Sequence, residues 1–378
     1  MTHGQKNTAY SGEQNLKVAI VHDWLYGGGA ELVVEQLHHM FPEAPIYATF
    51  ATKEWRKRLD GKVKTGYLQW WPLRRAYKFL GFLRILWYTH LDFKGYDLVI
   101  SSSGAEAKGI KVPAGVVHVN YCHAPTHYYW SRYDEYMQHP GLGVFSPLAR
   151  LGLWLLVKPL RRWDYKAAQR PGYIIANSTH TQKQIKKYYN RDSTVIFPPV
   201  SFERFQKPEN RNLKRRGLLI AGRQTPYKRF DLAVVACSKL GIPLTVIGAG
   251  PDHKRLRNLA GKSVTFLGKV SDEVVEEEFA RAAGFLFPGT DDFGITPVEA
   301  MAAGTPVIAH KAGGALDYVR PGVTGEFFSH QTAASLATTL KRFTPKAYSS
   351  AAIRACAQSY SVPTFRKQLA AYLAKITK

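Results

Sequence analysis

The segment Pro288–Glu299 combines groups that bind phosphates with groups that bind hydroxyls. Asp291 lies in an expected loop, and Glu299 follows eight residues later on an expected helix. Carboxylates accept hydrogen bonds from ribose and hexose hydroxyls. Between the two acids, a helix is expected to open over Phe293, Gly294, Ile295 and Thr296, where backbone N–H groups can take phosphate oxygens. A surface acid explains either carboxylate singly, but the whole segment suits a phosphorylated ligand with hydroxyls at both ends.

Two cations follow a predicted strand earlier in this half of the chain. Arg223 and Lys228 are five residues apart, between the strand Gly217–Ala221 and a predicted helix. Arginine can grip a diphosphate through two hydrogen bonds, and lysine can do so as a point charge. A solvated basic loop explains the same pair equally well.

Three glycines follow the first predicted strand. Gly27, Gly28 and Gly29 precede a predicted helix, so the backbone there can approach an anion. A tight turn without a ligand is an equally good interpretation. The spacing GxGxxG is absent here and is broken by His253 in the segment 248–253, so a dinucleotide is not favoured.

His123 follows the predicted strand Val116–Tyr121. A histidine at the carboxyl end of a parallel strand lies where α/β proteins bind ligands, and imidazole suits hydrogen bonding to a sugar hydroxyl or proton transfer. A single histidine among 13 is more often a packed or surface residue. Position alone leaves the ligand interpretation open.

Short strands alternate with longer helical segments along the whole chain. Runs such as Lys17–His22 are apolar throughout, which is typical of parallel strands buried on both faces. The predicted fold class is therefore α/β, with two Rossmann-like doubly wound domains that face each other across a cleft. Further strands are predicted at Asp97–Ser101, Tyr173–Asn177, Thr194–Phe197, Leu244–Gly248, Val264–Leu267, Gly284–Phe287 and Pro306–Ala309.

The break between the domains is expected near Phe197–Arg216, because prolines there end regular structure. We predict an amino-terminal domain at 1–200 and a carboxy-terminal domain at 201–350. A helical segment at 351–378 is expected to return toward the first domain.

The composition fits a globular protein, with 378 residues of which 45% are hydrophobic and 21% charged. Three scattered cysteines exclude a disulfide framework or a CxxC metal site and are typical of reduced, cytoplasmic thiols. A signal peptide and a membrane-spanning helix are not expected, because the first 16 residues are polar and the apolar stretches are short.

The net charge of +24 indicates a polyanionic partner or an anionic surface. It is spread evenly, since residues 1–200 and 201–378 each hold 26 basic and 14 acidic residues, a net of +12. Gln69–Leu91 and Gly141–Arg170 place arginines beside aromatic residues, as interfacial helices on anionic lipid do. The alternative is that Leu151 and Leu155 are buried and the arginines merely cover an outer helix face.

Several motifs together resemble the family 4 glycosyltransferases of the GT-B fold. The segment Asp291–Ala300 is followed by Ala303–Ile308 and by Gly313-Gly314. Val18–Glu31 and Tyr121–Pro125 look like the branch that contains O-antigen mannosyltransferases, and the segments Ile175–Ser178 and Phe197–Val200 fit as well. The resemblance covers nearly the whole chain.

The resemblance implies transfer of a sugar from a nucleotide diphosphate sugar, with retention at the anomeric carbon and no metal. It implies that Arg223 and Lys228 hold the diphosphate and that Glu299 binds the ribose, in a carboxy-terminal nucleotide-sugar-binding domain. Asp291 stands where the family usually has Glu, in contact with hexose hydroxyls. The shorter side chain leaves the identity of the sugar open.

In the acceptor-side domain, the resemblance implies that Gly28 and Gly29 face the diphosphate and the acceptor, and that His123 contacts the hexose. GDP-mannose is the first expectation for the donor. A saccharide or lipid-linked saccharide of surface polysaccharide assembly, such as lipopolysaccharide, is the expected acceptor. The protein is then expected to be cytoplasmic and bound to the anionic inner face of the cell membrane.

Three other classes of protein share parts of this pattern. A nucleic-acid-binding protein would explain the charge but not the segment Asp291–Glu299, and no nucleic-acid-binding module is recognised, so nucleic acid is not an expected partner. A GT-B sugar-nucleotide epimerase would share the architecture and need no acceptor. An inactive sugar-nucleotide-binding protein would fit the shortened side chain of Asp291.

Overall fold

The computed structural model describes residues 16–75, 77, 80–138, 146–207 and 213–377. The chain divides into two compact units. The first contains residues 1–197 and 366–378, and the second contains residues 198–365. The helical segment that we predict at 351–378 is therefore divided between the units after Phe365. Residues 208–212, within the predicted break, and residues 141–145, within the second basic segment, lie outside the described residues.

The first unit is built on a sheet of seven parallel strands in the order β3-β2-β1-β4-β5-β6-β7. Their bounds are β1 Val18–His22, β2 Ile46–Ala48, β3 Val63–Thr65, β4 Leu98–Ser103, β5 Val117–Cys122, β6 Tyr173–Ala176 and β7 Thr194–Val195. The helices are α1 Ala30–Met40, α2 Lys53–Arg58, α3 Trp71–Arg75, α4 Gly81–Thr89, α5 Tyr133–Gln138, α6 Ser146–Ala168 and α7 Thr179–Tyr189.

The second unit is built on six parallel strands in the order β10-β9-β8-β11-β12-β13. Their bounds are β8 Leu218–Ala221, β9 Leu244–Ile247, β10 Val264–Gly268, β11 Gly284–Phe287, β12 Val307–His310 and β13 Gly325–Phe328. The helices are α8 Phe230–Leu240, α9 His253–Leu259, α10 Asp272–Arg281, α11 Ile295–Ala302, α12 Ala315–Tyr318, α13 Ala333–Arg342 and α14 Ser350–Ala357. The last helix, α15 Val362–Ile376, begins in the second unit, and its residues from Arg366 onward belong to the first.

The central strands are buried on both faces, as their apolar sequences predict. Every residue of β1, β4 and β11 is buried. β10 lies at a sheet edge, and its residues alternate between partly buried and exposed. The ten strands predicted from sequence all form, and the predicted α/β fold class is confirmed.

The sequence analysis did not predict three short strands, β2, β3 and β13. β2 and β3 have only three residues each, and β13 has the sequence GEFF, which is not an uninterrupted apolar run. They extend their sheets by parallel pairing with β1, β2 and β12, so tertiary hydrogen bonding rather than local pattern makes them strands.

Polar side chains mark the beginnings of several helices. The Ser178 hydroxyl accepts a hydrogen bond from Thr181 N at 3.0 Å at the start of α7. Ser349 does the same for Ala352 N at 3.3 Å at the start of α14. These caps satisfy N–H groups that the first helical turn leaves without partners. Among the described helices, none has the length and apolar character needed to cross a membrane.

Candidate functional site

In the second unit, the loop after β8 is held against the loop after β9. Gln224 is fully buried, and its backbone N–H donates to Ala249 O at 3.0 Å. Its side-chain amide donates to Gly248 O at 2.8 Å, and its side-chain oxygen lies 2.7 Å from Nδ1 of His253. These bonds fix the backbone next to Arg223.

The glycines after β9 allow this packing, because a side chain at these positions would collide with the neighbouring backbone. Gly248 has φ +110°, and a Cβ there would lie 2.0 Å from the backbone oxygen of Gly222. A Cβ on Gly250 would lie 2.2 Å from the oxygen of Gln224. The segment 248–253 thus brings two backbones together and gives the loop that carries Arg223 a rigid support.

The structure brings two of the predicted site residues together, Lys228 and Asp291. Lys228 Nζ lies 2.8 Å from Asp291 Oδ2, with the two side chains 19% and 16% exposed. The loop after β11 reaches this position because Gly289 lies flat on the backbone of Lys228, where a Cβ would be 2.9 Å from its Cα. The pair therefore joins a cation and a carboxylate at the carboxyl edge of the second sheet.

Arg223 lies at the same edge and has a different environment. Its side chain is exposed, and among the described residues it makes no hydrogen bond or ion pair. Because Gln224 fixes the neighbouring backbone, the Arg223 guanidinium is anchored at its base and open to solvent at its tip. It can therefore bind an anion without first breaking an internal ion pair.

Helix α11 begins where the sequence predicts a helix N-terminus. Gly294 precedes it with φ +84°, and a Cβ there would lie 2.7 Å from the Phe287 ring. Tyr318 Oη donates to Phe293 O at 3.0 Å, and Gly314 N donates to Asp291 O at 3.0 Å. The first turn of α11, including Ile295 and Thr296, is therefore held at the same edge as Lys228 and Asp291.

Glu299 lies one turn into α11 and is partly buried. The pKa of its carboxyl is raised from 4.5 to about 7, mainly by burial; Arg204 acts against this shift and Asp272 adds to it. A carboxyl with this pKa changes charge near neutral pH, so its protonation state responds to any group that hydrogen-bonds to it. The sequence places Glu299 correctly on a helix but cannot reveal this burial.

In the first unit, Asp23 ties the loop after β1 to the loop after β4. Its buried carboxylate accepts hydrogen bonds from the N–H groups of Gly104, Ala105 and Ala107 at 2.8, 2.9 and 2.8 Å. The pKa of Asp23 is raised, because burial and the nearby Glu106 outweigh the lowering by His22 and by the N–H groups of Ala107 and Gly104. Asp23 organises the strand ends around the predicted site residues.

The carboxylate of Glu31, on helix α1, binds backbone N–H groups at the start of the glycine segment. Glu31 Oε1 accepts hydrogen bonds from Gly27 N at 2.8 Å and Tyr26 N at 3.3 Å. Gly28 and Gly29 are exposed and lie just before α1. The N–H groups of Tyr26 and Gly27 are thus already used internally, which the sequence analysis missed. The spacing of four residues between Gly27 and Glu31 was the available signal.

His123 is half-buried at the end of β5 and is held on both sides. Its Nε2 lies 2.8 Å from Ser102 Oγ, and its backbone oxygen accepts a hydrogen bond from Asn177 Nδ2 at 2.9 Å. The rings of His22 and His123 meet edge to face at 6.2 Å. Asn177 therefore positions His123, which explains one motif behind the family resemblance.

The predicted site residues form two groups, one on each unit. Gly28, Gly29 and His123 belong to the first unit, and the residues from Arg223 to Glu299 belong to the second. Within the described part of the chain, no group of three or more His, Cys, Asp or Glu side chains could hold a metal ion.

Solved structures share this fold. The Anabaena protein HepE in complex with UDP aligns with a TM-score of 0.68 and 18% identity, over 95% of this chain and 100% of its own. The sucrose-phosphate synthase from Thermosynechococcus elongatus aligns with a TM-score of 0.66 and 16% identity, over 96% of this chain and 99% of its own. The two parallel-sheet units define a protein of the GT-B class.

Two family models match adjoining parts of the chain. The first, Glycosyltransferase Family 4, matches residues 27–204, and the second, Glycosyl transferases group 1, matches residues 201–355. Together the two models cover residues 27–355, and they support a family 4 glycosyltransferase of GT-B fold, as the motifs predict.

Curated relatives carry a more specific name. The D-inositol 3-phosphate glycosyltransferase of Streptomyces scabiei is 30% identical over 211 residues, which is 47% of this chain and 46% of the relative. The protein of that name from Mycobacterium tuberculosis is 31% identical over 179 residues, which is 41% of this chain and 37% of the relative. The chain thus spans less than half the length of these curated relatives.

Proposed function

We propose that this chain transfers a hexose from a nucleotide diphosphate sugar to a saccharide or lipid-linked saccharide, with retention at the anomeric carbon. The observation that carries the proposal is the ion pair of Lys228 with Asp291 beside the N-terminus of α11, with Glu299 one turn further on. Lys228 can bind the diphosphate there, Asp291 the hexose and Glu299 the ribose. The name of the curated relatives and the UDP bound to HepE support the same reaction.

The charges of this edge suit the departure of a nucleoside diphosphate. As the glycosidic bond breaks, negative charge grows on the diphosphate and positive charge grows on the sugar ring. We assign Lys228, Arg223 and the N–H groups at Phe293, Gly294, Ile295 and Thr296 to the diphosphate, where fixed positive charge stabilises the transition state more than the ground state. With these groups in place, the proposed reaction needs no metal.

The remaining assignments concern the sugars. Asp291 is bound to Lys228, so a hexose hydroxyl that donates to Asp291 is held next to the diphosphate cation. We assign Glu299 to the ribose and His123 to the hexose, and Gly28 and Gly29 to the diphosphate and the acceptor.

GDP-mannose is the donor that we propose first, on the motifs shared with the O-antigen mannosyltransferase branch. UDP-glucose is the second candidate, because HepE was also solved with that molecule. For the acceptor we propose a saccharide of surface polysaccharide assembly, such as lipopolysaccharide, carried on a lipid at the inner face of the cell membrane. An epimerase or a nucleic-acid-binding protein is not favoured by the relatives, which are glycosyltransferases by name.

The first experiment measures the thermal stabilisation of the protein by GDP-mannose, UDP-glucose, ADP-glucose and dTDP-glucose. A ligand at about 100 times its dissociation constant adds about 2.7 kcal/mol to the folded state. We expect one nucleotide to stabilise the protein and Glu299→Gln to weaken the effect. The matched control is Glu277→Gln on α10, an acid that is 41% exposed and paired with Arg281.

Product analysis then separates transfer from other chemistry. With the stabilising donor, nucleoside diphosphate release that requires an added saccharide acceptor supports a transferase. A new sugar nucleotide or free sugar formed equally well without an acceptor would instead indicate an epimerase or a hydrolase. Failure of every donor to bind would refute the proposal.

A further inference from the structure

The first unit exposes a surface of large apolar side chains that the proposed reaction does not use. We call it the docking face and define it by Trp70, Trp71 and Phe82 near α3 and α4 and by Leu151, Trp154 and Leu155 on α6. These six side chains are between 52% and 67% exposed. Large apolar side chains exposed in this number indicate a surface that meets another apolar phase.

Helix α6 presents the leucines at helical spacing. Leu148, Leu151 and Leu155 are three and four residues apart and are 69%, 52% and 58% exposed. Val157, Asp164 and Ala167 are buried instead. The alternative in which Leu151 and Leu155 are buried is therefore wrong, and α6 turns an apolar line toward solvent.

The buried side of α6 holds the helix firmly. Asp164 accepts hydrogen bonds from Trp130 Nε1 and Tyr189 Oη, both at 2.7 Å, and Lys108 Nζ lies 2.6 Å from its Oδ1. The exposure of the leucines is therefore a fixed property of a well-anchored helix. It does not come from a helix that has failed to pack.

Helices α4 and α6 pack against the same short 3-10 helix, Glu106–Gly109. Arg84 of α4 forms an ion pair with Glu106 at 2.7 Å. Trp163 of α6 covers Gly109, where a Cβ would lie 2.9 Å from the indole ring. The 3-10 helix after β4 therefore supports α4, which carries Phe82, and α6, which carries the leucines.

Cations continue the exposed line of α6. Arg162 and Lys166 follow Leu155 at intervals of seven and four residues, and both are exposed. Asp164 is the one acidic residue of α6 and is fully buried, so the outer face carries no negative charge to offset them. Near α3, the guanidinium of Arg75 lies 4.3 Å from the centre of the Trp71 ring.

The combination of exposed apolar and basic side chains indicates what the docking face binds. Leucine and tryptophan side chains enter the boundary between headgroups and acyl chains, while arginine and lysine contact anionic headgroups. A nucleic acid would leave the leucines in water. A second copy of the chain would bring like charges together. We propose that the docking face seats the first unit on a bilayer of anionic phospholipid.

This proposal stands apart from the reaction. Only its consequence for a lipid-linked acceptor rests on the proposed function, because such an acceptor is concentrated at the surface that the docking face would bind. Lipid binding itself requires neither donor nor acceptor.

The test is sedimentation with vesicles of phosphatidylglycerol mixed with phosphatidylcholine and with vesicles of phosphatidylcholine alone. We expect the protein to bind the mixed vesicles more tightly. The double variant Arg162→Gln and Lys166→Gln should weaken binding to the mixed vesicles about 25-fold, since each cation near such a surface contributes about fivefold. Leu151→Ser with Leu155→Ser should weaken binding at least about tenfold.

The matched control is Leu259→Ser with Leu316→Ser, which removes two leucines of the second unit that are 41% and 47% exposed. This control should bind vesicles as the unaltered protein does. Since all of these positions are exposed, the melting temperatures of the variants should stay close to the original.

Equal vesicle binding by all variants, or no binding by the unaltered protein, would overturn the proposal. The proposal would also be overturned if the protein bound no vesicles but self-associated without lipid and the leucine variant abolished that self-association. The docking face would then bind a second copy of the chain. Donor stabilisation is measured on the same samples. Its loss without loss of vesicle binding contradicts the proposed function alone.

Discussion

Replacement of Glu299 by glutamine tests the environment of the candidate site without any ligand. The pKa of Glu299 is raised by burial from 4.5 to about 7. The folded state therefore keeps this proton up to a higher pH than the unfolded state does. The favourable contribution of the protonated group is complete below about pH 4.5 and is lost as the pH rises through about 7.

The size of the effect follows from the two pKa values. One pKa unit corresponds to about 1.36 kcal/mol, so the unaltered protein loses at most about 3 kcal/mol of unfolding free energy in the second unit between pH 4.5 and 8. Glutamine resembles the protonated carboxyl and does not titrate. The second unit of Glu299→Gln should match the unaltered protein at low pH and exceed its stability by up to about 3 kcal/mol at pH 8.

The assay must follow the second unit by itself. All eight tryptophans precede residue 164, so indole fluorescence reports on the first unit. Cys237 is fully buried in the core of the second unit, and burial raises its pKa to about 12. Pulsed alkylation of Cys237 in increasing urea, quantified on its peptide, therefore reports the opening of the second unit.

The control for this experiment is Glu277→Gln, whose acid is 41% exposed. Its stability relative to the unaltered protein should change little between pH 5 and pH 8. A stability difference for Glu299→Gln that is the same at both pH values would refute the reasoning, because it would mean that Glu299 titrates alike in the folded and unfolded states.

Three further predictions concern other residues. Gly248→Ala should destabilise the second unit by well over the roughly 1–2 kcal/mol that a positive φ alone costs an L residue. Gly268 has φ +69° and open space around it, so Gly268→Ala should cost only that amount. Urea titrations of both variants measure the difference. Asp291→Asn should lower the transfer rate about a hundredfold and leave the affinity for nucleoside diphosphate within about threefold. The reason is that the neutral amide cannot stabilise the positive charge that grows on the sugar ring. A parallel loss of affinity would contradict this prediction. Burial, with Arg170 adding to it, lowers the pKa of His118 from 6.5 to about 3. The first unit should therefore lose stability as the pH falls below about 6.5, by up to about 5 kcal/mol, and tryptophan fluorescence should show this loss abolished in His118→Gln.

Much of the fold could be predicted because its signals are local. The buried strands contain uninterrupted apolar runs, and the glycine and proline positions mark the ends of elements. The sequence also shows the residue types of the candidate site, since Arg223, Lys228, Asp291 and Glu299 all follow predicted strands. Parallel strands present their carboxyl ends at one edge, so this order in sequence implies nearness in space.

The contacts within the site could not be predicted in the same way. Gln224 is a buried polar residue whose partners lie more than 20 residues away, and no local pattern marks it. The pairing of Lys228 with Asp291 spans 63 residues. The short strands β2, β3 and β13 depend likewise on pairing with neighbours that lie elsewhere in the chain.

The amino-acid sequence by itself determined the α/β architecture, the family and the residue types at the ends of the strands, because apolar runs and turn residues act over a few neighbouring positions. Only the tertiary structure decided which carboxylates are buried, which amides of the glycine loop are already occupied by Glu31, and which leucines of α6 face water. Burial and pairing depend on distant parts of the chain that pack against each residue. Leu151 and Val157 lie on one helix with similar side chains, and only the packing of α6 against the rest of the first unit decides that the first is 52% exposed and the second 6%.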